Sequence, residues 1–323
     1  MYKVYDRWPE IALESFESDQ DFVDFNGVDH IVFAGMGGSG AISDIFSSIL
    51  SKTEIHVDVV KGYHLPKTAN SNSLVIATSI SRNTSETLSI LKQAKDKGCK
   101  IIAFSNGGKM KDFCDNNKIE YRFIEMYHSP RASFTLFLYS MLKVLSPILP
   151  IQEKDIIESI KFLKILNKEI NSENLTDSNP ALNLAYWIDE IPIIYYPWGL
   201  HAAAIRFKNS IQENAKQHAI IEDVVESSHN GIVSWSQNKS KVKPILLRGK
   251  DDYFKTQERW GIFKKYFTEN KIEFKEINSI DGGILSKLIH FIYFLDYTTI
   301  YLSIILGIDP TPVDAIDFVK KRL

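Results

Sequence analysis

The sequence predicts an α/β protein built on parallel sheets, and three observations carry that prediction. The apolar run Ile31 to Ala34 breaks into Gly35-Met36-Gly37-Gly38-Ser39-Gly40 and resumes as the helix-like stretch Ala41 to Leu50, the order strand, glycine turn, helix. Short runs rich in β-branched residues then alternate with stretches of helical period along most of the chain. The 323 residues exceed what one core usually organises, and Pro147 and Pro150 close an apolar helix, so two domains are expected, 1–150 and 151–323.

Residues 1–26 read as a helical lead-in, with Trp8, Ile11, Leu13 and Phe16 set among acidic residues. The first strand is Ile31 to Ala34, the second Glu54 to Val60, the third Leu74 to Ala77 and the fourth Lys100 to Phe104. Asn83 with Glu86 three positions on is a helix-start pattern, and Leu88, Leu91 and Ala94 mark the buried face that follows. Phe134 to Leu145 is an apolar helix, and Ile156, Ile157, Ile160, Leu163 and Leu166 recur at helical spacing. Residues 171–179 form a polar loop, Ile191 to Tyr196 a strand, and Trp198-Gly199-Leu200 opens a helix reaching about Gln217. Pro244 to Leu247 and Glu273 to Ile277 are strands around a helix from Gln257 to Asn270, and a last short helix runs from Val313 to Leu323. Strand, glycine turn and helix recur at Ile191 to Phe207, too weakly to establish an internal repeat from sequence.

Composition narrows the function. A formal charge of −2 leaves no basic surplus for nonspecific nucleic-acid binding or for docking on an anionic membrane. Ile284 to Leu306 is long and apolar but carries Lys287, His290 and Asp296, costly in lipid, so it reads as a buried helix and the protein as soluble. Cys99 and Cys114 lack metal spacing and are too few for a disulfide scaffold, which favours a reducing, cytoplasmic setting; one bridge stays open. His56, His64, His201, His218 and His290 are scattered, and no metal site is expected.

The chemistry points to an anion. A glycine turn running into a helix N-terminus presents backbone N–H groups and a positive dipole end. Ser79, Ser81 and Thr84, after the third strand, add uncharged donors at the same end of a parallel sheet, where α/β folds bind ligands. Taken alone, these serines and threonines also fit turn formers and caps. Gly35, Gly37 and Gly40 satisfy a dinucleotide fingerprint, but the acid such a site needs is misplaced: Asp58 lies inside the second strand and Lys61 at its end. A small phosphate ester fits better, and no cofactor is expected.

Six ordered segments carry a resemblance: Gly35 to Gly40; Ser79-x-Ser81-x-Asn83-Thr84-x-Glu86-Thr87; Ser129-Pro130-Arg131-Ala132; Gln212-Glu213-Asn214-Ala215-Lys216; Ser228-His229-Asn230; and Thr311-Pro312 ahead of a helix bearing Lys320. In this order they resemble the archaeal-type bifunctional phosphoglucose/phosphomannose isomerases, built from two sugar isomerase (SIS) domains, each a doubly wound, flavodoxin-like parallel sheet flanked by helices. The resemblance spans nearly the whole chain. One departure is Arg82, where that family usually has glycine.

The resemblance implies an aldose–ketose isomerase acting on glucose 6-phosphate and mannose 6-phosphate through a cis-enediolate. Gly37, Gly38, Ser39, Ser79, Ser81 and Thr84 would bind the substrate phosphate, and Glu213 would move a proton between C2 and C1. His229 and Lys320 would open the ring, with Lys321 an alternative to Lys320, and Arg131 would stabilise the enediolate. Thr311 would leave room for rotation about C2–C3, so that both epimers pass through one intermediate. The resemblance further implies a homodimer in which His229 serves the partner's site. The competing reading is a SIS-type regulator that binds a sugar phosphate without turning it over. For Glu213 and Arg131 taken alone, an exposed helix residue and an ordinary salt bridge are the plain alternatives.

Overall fold

A computed structural model describes residues 1–237 and 241–322. The chain divides into two compact units, one of Lys3–Lys164 with Ile284–Ser286, the other of Met1–Tyr2, Ile165–Gly283 and the chain from Lys287 on.

In the first unit, α1 (Tyr2–Asp6) and α2 (Trp8–Phe16) precede β1 (His30–Ala34), α3 (Gly38–Leu50), β2 (His56–Val60) and β3 (Ser73–Ser79). There follow α4 (Ser85–Asp96), β4 (Lys100–Ser105), α5 (Gly108–Asn117), β5 (Glu120–Phe123) and α6 (Phe134–Val144). Five parallel strands stand in the order β2-β1-β3-β4-β5. β1 and β3 are buried along their whole length, as strands covered on both faces must be, which explains why they read as unbroken apolar runs. On one face Val32, Val75 and Ala103 pack against Ile90, Leu91 and Ala94 of α4 and Met110 and Cys114 of α5. Both cysteines are free, and burial pushes the Cys114 thiol up to about 12, so it is an inert core residue.

The lead-in is two short helices ending at Phe16 rather than one segment to residue 26, and it is structural: the Trp8 indole donates to the Ala132 carbonyl at 2.8 Å and stacks on Phe134. The expected cap at Asn83 is not formed. Thr84 is the N-cap of α4, and the Asn83 side chain accepts from the Lys109 N–H at 3.0 Å, joining the loops after β3 and β4.

α7 (Glu153–Ile170) leads into the second unit: α8 (Pro180–Trp187), β6 (Ile191–Tyr196), α9 (His201–Ser210), β7 (Ile220–Asp223), α10 (Val224–Ser227), β8 (Val242–Arg248), α11 (Phe254–Glu269), β9 (Lys275–Asn278), α12 (Ile284–Ile305) and α13 (Asp314–Lys320). The end expected at Leu323 lies outside the described residues. Its sheet runs β7-β6-β8-β9, all parallel, the first sheet's order with one strand fewer, so the duplication too weak to read in sequence is plain in topology. Tyr195, Leu246, Trp260, Phe263 and Phe267 fill the core on one side. α12 is long and apolar enough to cross a membrane, but most of it is buried inside the protein; it is a core helix, as its three ionisable residues require.

Candidate active site

In an open α/β sheet the ligand crevice lies where strand order reverses. In the first unit that point is between β1 and β3, which pair directly, so the glycine turn after β1 and the hydroxyl loop after β3 are neighbours by register. Helix α3 begins at Gly38, three residues before the expected start at Ala41, so Gly38, Ser39 and Gly40 form its first turn, the part of a helix whose N–H groups lack an intrahelical acceptor. Gly37 has φ 55°, a left-handed conformation that glycine adopts without strain. Gly35 and Gly40 close the turn on itself: a Cβ on Gly40 would lie 3.0 Å from the Gly35 oxygen.

Seven predicted residues converge here. Ser39 is buried, and its Oγ accepts from the Ile80 N–H at 3.1 Å, splicing the two loops together. Thr84 Oγ1 is the hub of the hydroxyls, 2.9 Å from Ser79 Oγ and 3.1 Å from Ser81 Oγ. The turn carrying Arg131 reaches the glycines as well, since a Cβ on Gly38 would stand 3.4 Å from the Pro130 oxygen. That turn is held by Ser133, whose Oγ accepts from the Tyr127 N–H at 2.8 Å. Arg131 itself is 5% exposed, a cation in a nearly dry setting where its field is strong. Arg82 has φ 64°, a left-handed position that glycine adopts with less strain, filled here by arginine.

Sequence reasoning missed Lys61 as a member of this group. It follows β2, its stem packs 3.2 Å from where a Gly40 Cβ would be, and its ammonium pairs with Asp44 of α3 at 2.5 Å. The dinucleotide alternative loses its acid altogether: Asp58 pairs with Val32 in mid-strand, and its carboxylate meets His30 Nε2 at 3.0 Å.

In the second unit the helix expected to run to Gln217 ends two residues sooner. After α9 the backbone widens into one π turn, Ile211–Ala215, and stops at Lys216, whose φ of 56° reverses the chain. Glu213 sits on that turn, half-buried, a setting π turns often mark. Three side chains at four-residue spacing pin the turn to α12. Arg206 and Asp296 form a buried bidentate pair, Ser210 donates to Asp296 Oδ1 at 2.6 Å, and Asn214 Nδ2 donates to Thr299 Oγ1 at 2.8 Å.

Lys216 brings Thr311 to this turn. Its ammonium donates to the Glu213 carbonyl and to the carbonyls of Pro310 and Pro312, the last two at 3.4 and 2.8 Å. Beside it the Thr311 N–H donates to Asp309 and holds that carboxyl below its ordinary range. Lys320 and Lys321 are both exposed; among the described residues the C-terminal segment is tied to the Glu213 turn through Lys216, not through either of them.

His229 lies in the turn after α10 and is exposed. Two residues on, the Gly231 backbone packs against another residue the sequence did not single out. Glu222, paired with Tyr195 across β6 and β7, places its Oε2 2.1 Å from where a Gly231 Cβ would be, so a side chain at 231 would push the end of the Glu222 side chain aside. Burial pushes the Glu222 carboxyl up.

The sequence matches the family model described as "Bacterial phospho-glucose isomerase C-terminal SIS domain" over residues 177–323 and the SIS domain model over residues 24–141. It is 32% identical to a bifunctional phosphoglucose/phosphomannose isomerase of Caldicellulosiruptor bescii, covering 100% of this chain and 98% of that one. A protein of the same name from Thermoplasma acidophilum is 30% identical, over 96% of each chain. Among solved structures, a hypothetical protein from Thermus thermophilus superposes with a TM-score of 0.77 at 11% identity, over 98% of this chain and 89% of that one, a likeness of fold.

Proposed function

This chain belongs to the bifunctional phosphoglucose/phosphomannose isomerase family, and from that premise we propose that it interconverts glucose 6-phosphate and mannose 6-phosphate with fructose 6-phosphate. The observation that carries the reading is Glu213, a half-buried carboxylate on a π turn pinned to α12 and joined through Lys216 to the segment bearing Thr311. A base that must meet one carbon-bound proton needs such a fixed seat.

Gly37, Gly38, Ser39, Ser79, Ser81 and Thr84 take the phosphate, with the Lys61–Asp44 pair bracing the glycine turn from behind. Glu213 removes the C2 proton of the open aldose, and the electron pair of that bond becomes the C1–C2 double bond of the enediolate. The proton returns to C1 and the O2 hydroxyl proton passes to O1, so the C2 oxygen becomes the ketone carbonyl and the C1 oxygen a hydroxyl. Hydrogen and electrons that leave C2 stay within the substrate, so the step consumes no redox cofactor. Loss of the C2 proton erases the stereocentre, which lets one base serve both epimers, and Thr311 leaves room about C2–C3. Arg131 stabilises the enediolate charge, and His229 and Lys320 open the ring.

Dimerisation completes this reading. The exposed position of His229 suits a residue that serves a partner subunit, and α13 buries none of its side chains while exposing Ile316, Phe318 and Val319. Such an apolar face favours a subunit contact. Two free cysteines suit a reducing cytoplasm. The test is a coupled assay for fructose 6-phosphate formed from each of the two aldose phosphates by purified protein. Turnover of both is expected; binding without turnover would leave the regulator reading in its place.

A further inference from the structure

The opposite end of the first sheet holds a cluster unrelated to the glycine loop. Parallel register pairs His30 of β1 with His56 of β2 and with Ser73 of β3, and Asp58 falls two residues after His56, on the same face of β2. The two imidazoles stack with centroids 4.5 Å apart. One ligand atom from each of His30, His56 and Asp58 lies within 4.8 Å of the others. Twenty-six positions separate the two histidines in sequence, so no spacing pattern announces the group.

His30 is the fixed member. It is 5% exposed, its Nε2 is 3.0 Å from Asp58 Oδ2, and its Nδ1 is 3.0 Å from Ser73 Oγ. Ser73 Oγ already accepts from the Asn70 N–H at 3.0 Å, and a hydroxyl can still either donate to Nδ1 or accept from it. When Ser73 donates, Nε2 carries the proton and binds Asp58. When Ser73 accepts, Nδ1 carries the proton and the Nε2 lone pair faces the carboxylate, an arrangement that calls for a cation between them. That is the orientation in which metal-binding histidines are commonly held by an outer hydrogen bond. His56 is exposed on the edge strand, so its ring is free to close the ligand atoms to the roughly 3.3 Å spacing that tetrahedral bonds of about 2.0–2.1 Å impose.

We propose that His30, His56 and Asp58 form a binding site for a zinc-class divalent cation that clasps the edge strand β2 to β1, with Ser73 orienting His30 and the fourth position open to water. Two imidazoles and one carboxylate suit a borderline cation of this kind. The site lies about 16 Å along β1 from the glycine turn, by the strand rise, so its role is structural and independent of the isomerase reading.

The test uses metal-stripped, tag-free, full-length protein titrated with zinc alone by calorimetry, with cobalt as a spectroscopic stand-in and thermal unfolding as a second readout. The expected results are one zinc per chain, a tetrahedral cobalt spectrum, and a melting temperature that rises with zinc. His56→Ala and Asp58→Asn, both outside the core, should each weaken zinc binding at least tenfold and remove the thermal shift, while Ser73→Ala weakens it less. Isomerase turnover should be the same in stripped and zinc-loaded protein. Sub-stoichiometric zinc, or wild-type affinity in both ligand variants, would overturn the site. Turnover lost on stripping and restored by zinc would overturn its structural assignment.

Discussion

Replacing Asp296 with leucine tests whether the α9–α12 clamp carries the weight assigned to it. The side chains of Arg206 and Asp296 are 3% and 0% exposed, and Asp296 also accepts from Ser210 at 2.6 Å. Asp296→Leu leaves a buried guanidinium without this carboxylate and a buried hydroxyl without this acceptor, a loss of about 3–5 kcal/mol. For a folding unit of this size that corresponds to a melting temperature lower by roughly 6–20 °C. The double variant Arg206→Met with Asp296→Leu removes both charges together, and since apolar replacement of a buried pair is near neutral in stability, it should recover most of the loss. Its turnover should stay below wild type, because two of the three polar anchors behind the Glu213 turn are gone and only Asn214–Thr299 remains. Thermal unfolding of the three proteins, paired with the isomerase assay, decides the matter. A fall of under 3 °C for the single variant, or a double variant no more stable than the single, would refute the reasoning.

Arg82 holds φ 64°, so Arg82→Gly should leave stability within about 1 kcal/mol of wild type, while Arg82→Val should cost about 1–2 kcal/mol, both measured by urea unfolding. Burial holds His290 down to about 4, below its ordinary 6.5. The unfolded chain therefore takes up this proton first, and stability present above pH 6.5 is lost as pH falls towards 4, by roughly 3 kcal/mol in all; His290→Gln should flatten the stability profile in that window. Gly231→Ala brings a methyl against Glu222 Oε2, which the flexible carboxylate end can move to avoid, so stability should stay within about 1 kcal/mol of wild type by urea unfolding.

The first unit was the more legible half. Its glycine turn, buried strands and hydroxyl loop are local patterns, and their meeting follows from β1 and β3 being neighbours. The elements that went unread are short or half-exposed. β5 and β7 are four-residue edge strands with too few apolar residues to stand out, Ile220 and Ile221 at most, and α8 packs too few side chains to show a period. The end of α9 misled for another reason: Lys216 takes a left-handed turn held by tertiary hydrogen bonds to Pro310 and Pro312, which no window around residue 216 contains. Glu222 under Gly231, and His30 beside His56, are likewise products of strand register.

The central claim is that Glu213 moves the proton between C2 and C1. Its most direct test is kcat/KM for glucose 6-phosphate in wild type and in Glu213→Gln, with substrate binding measured separately. A fall of about 10²–10⁴-fold with binding retained is the predicted result. A variant within tenfold of wild type would contradict that role and assign the proton transfer to another residue.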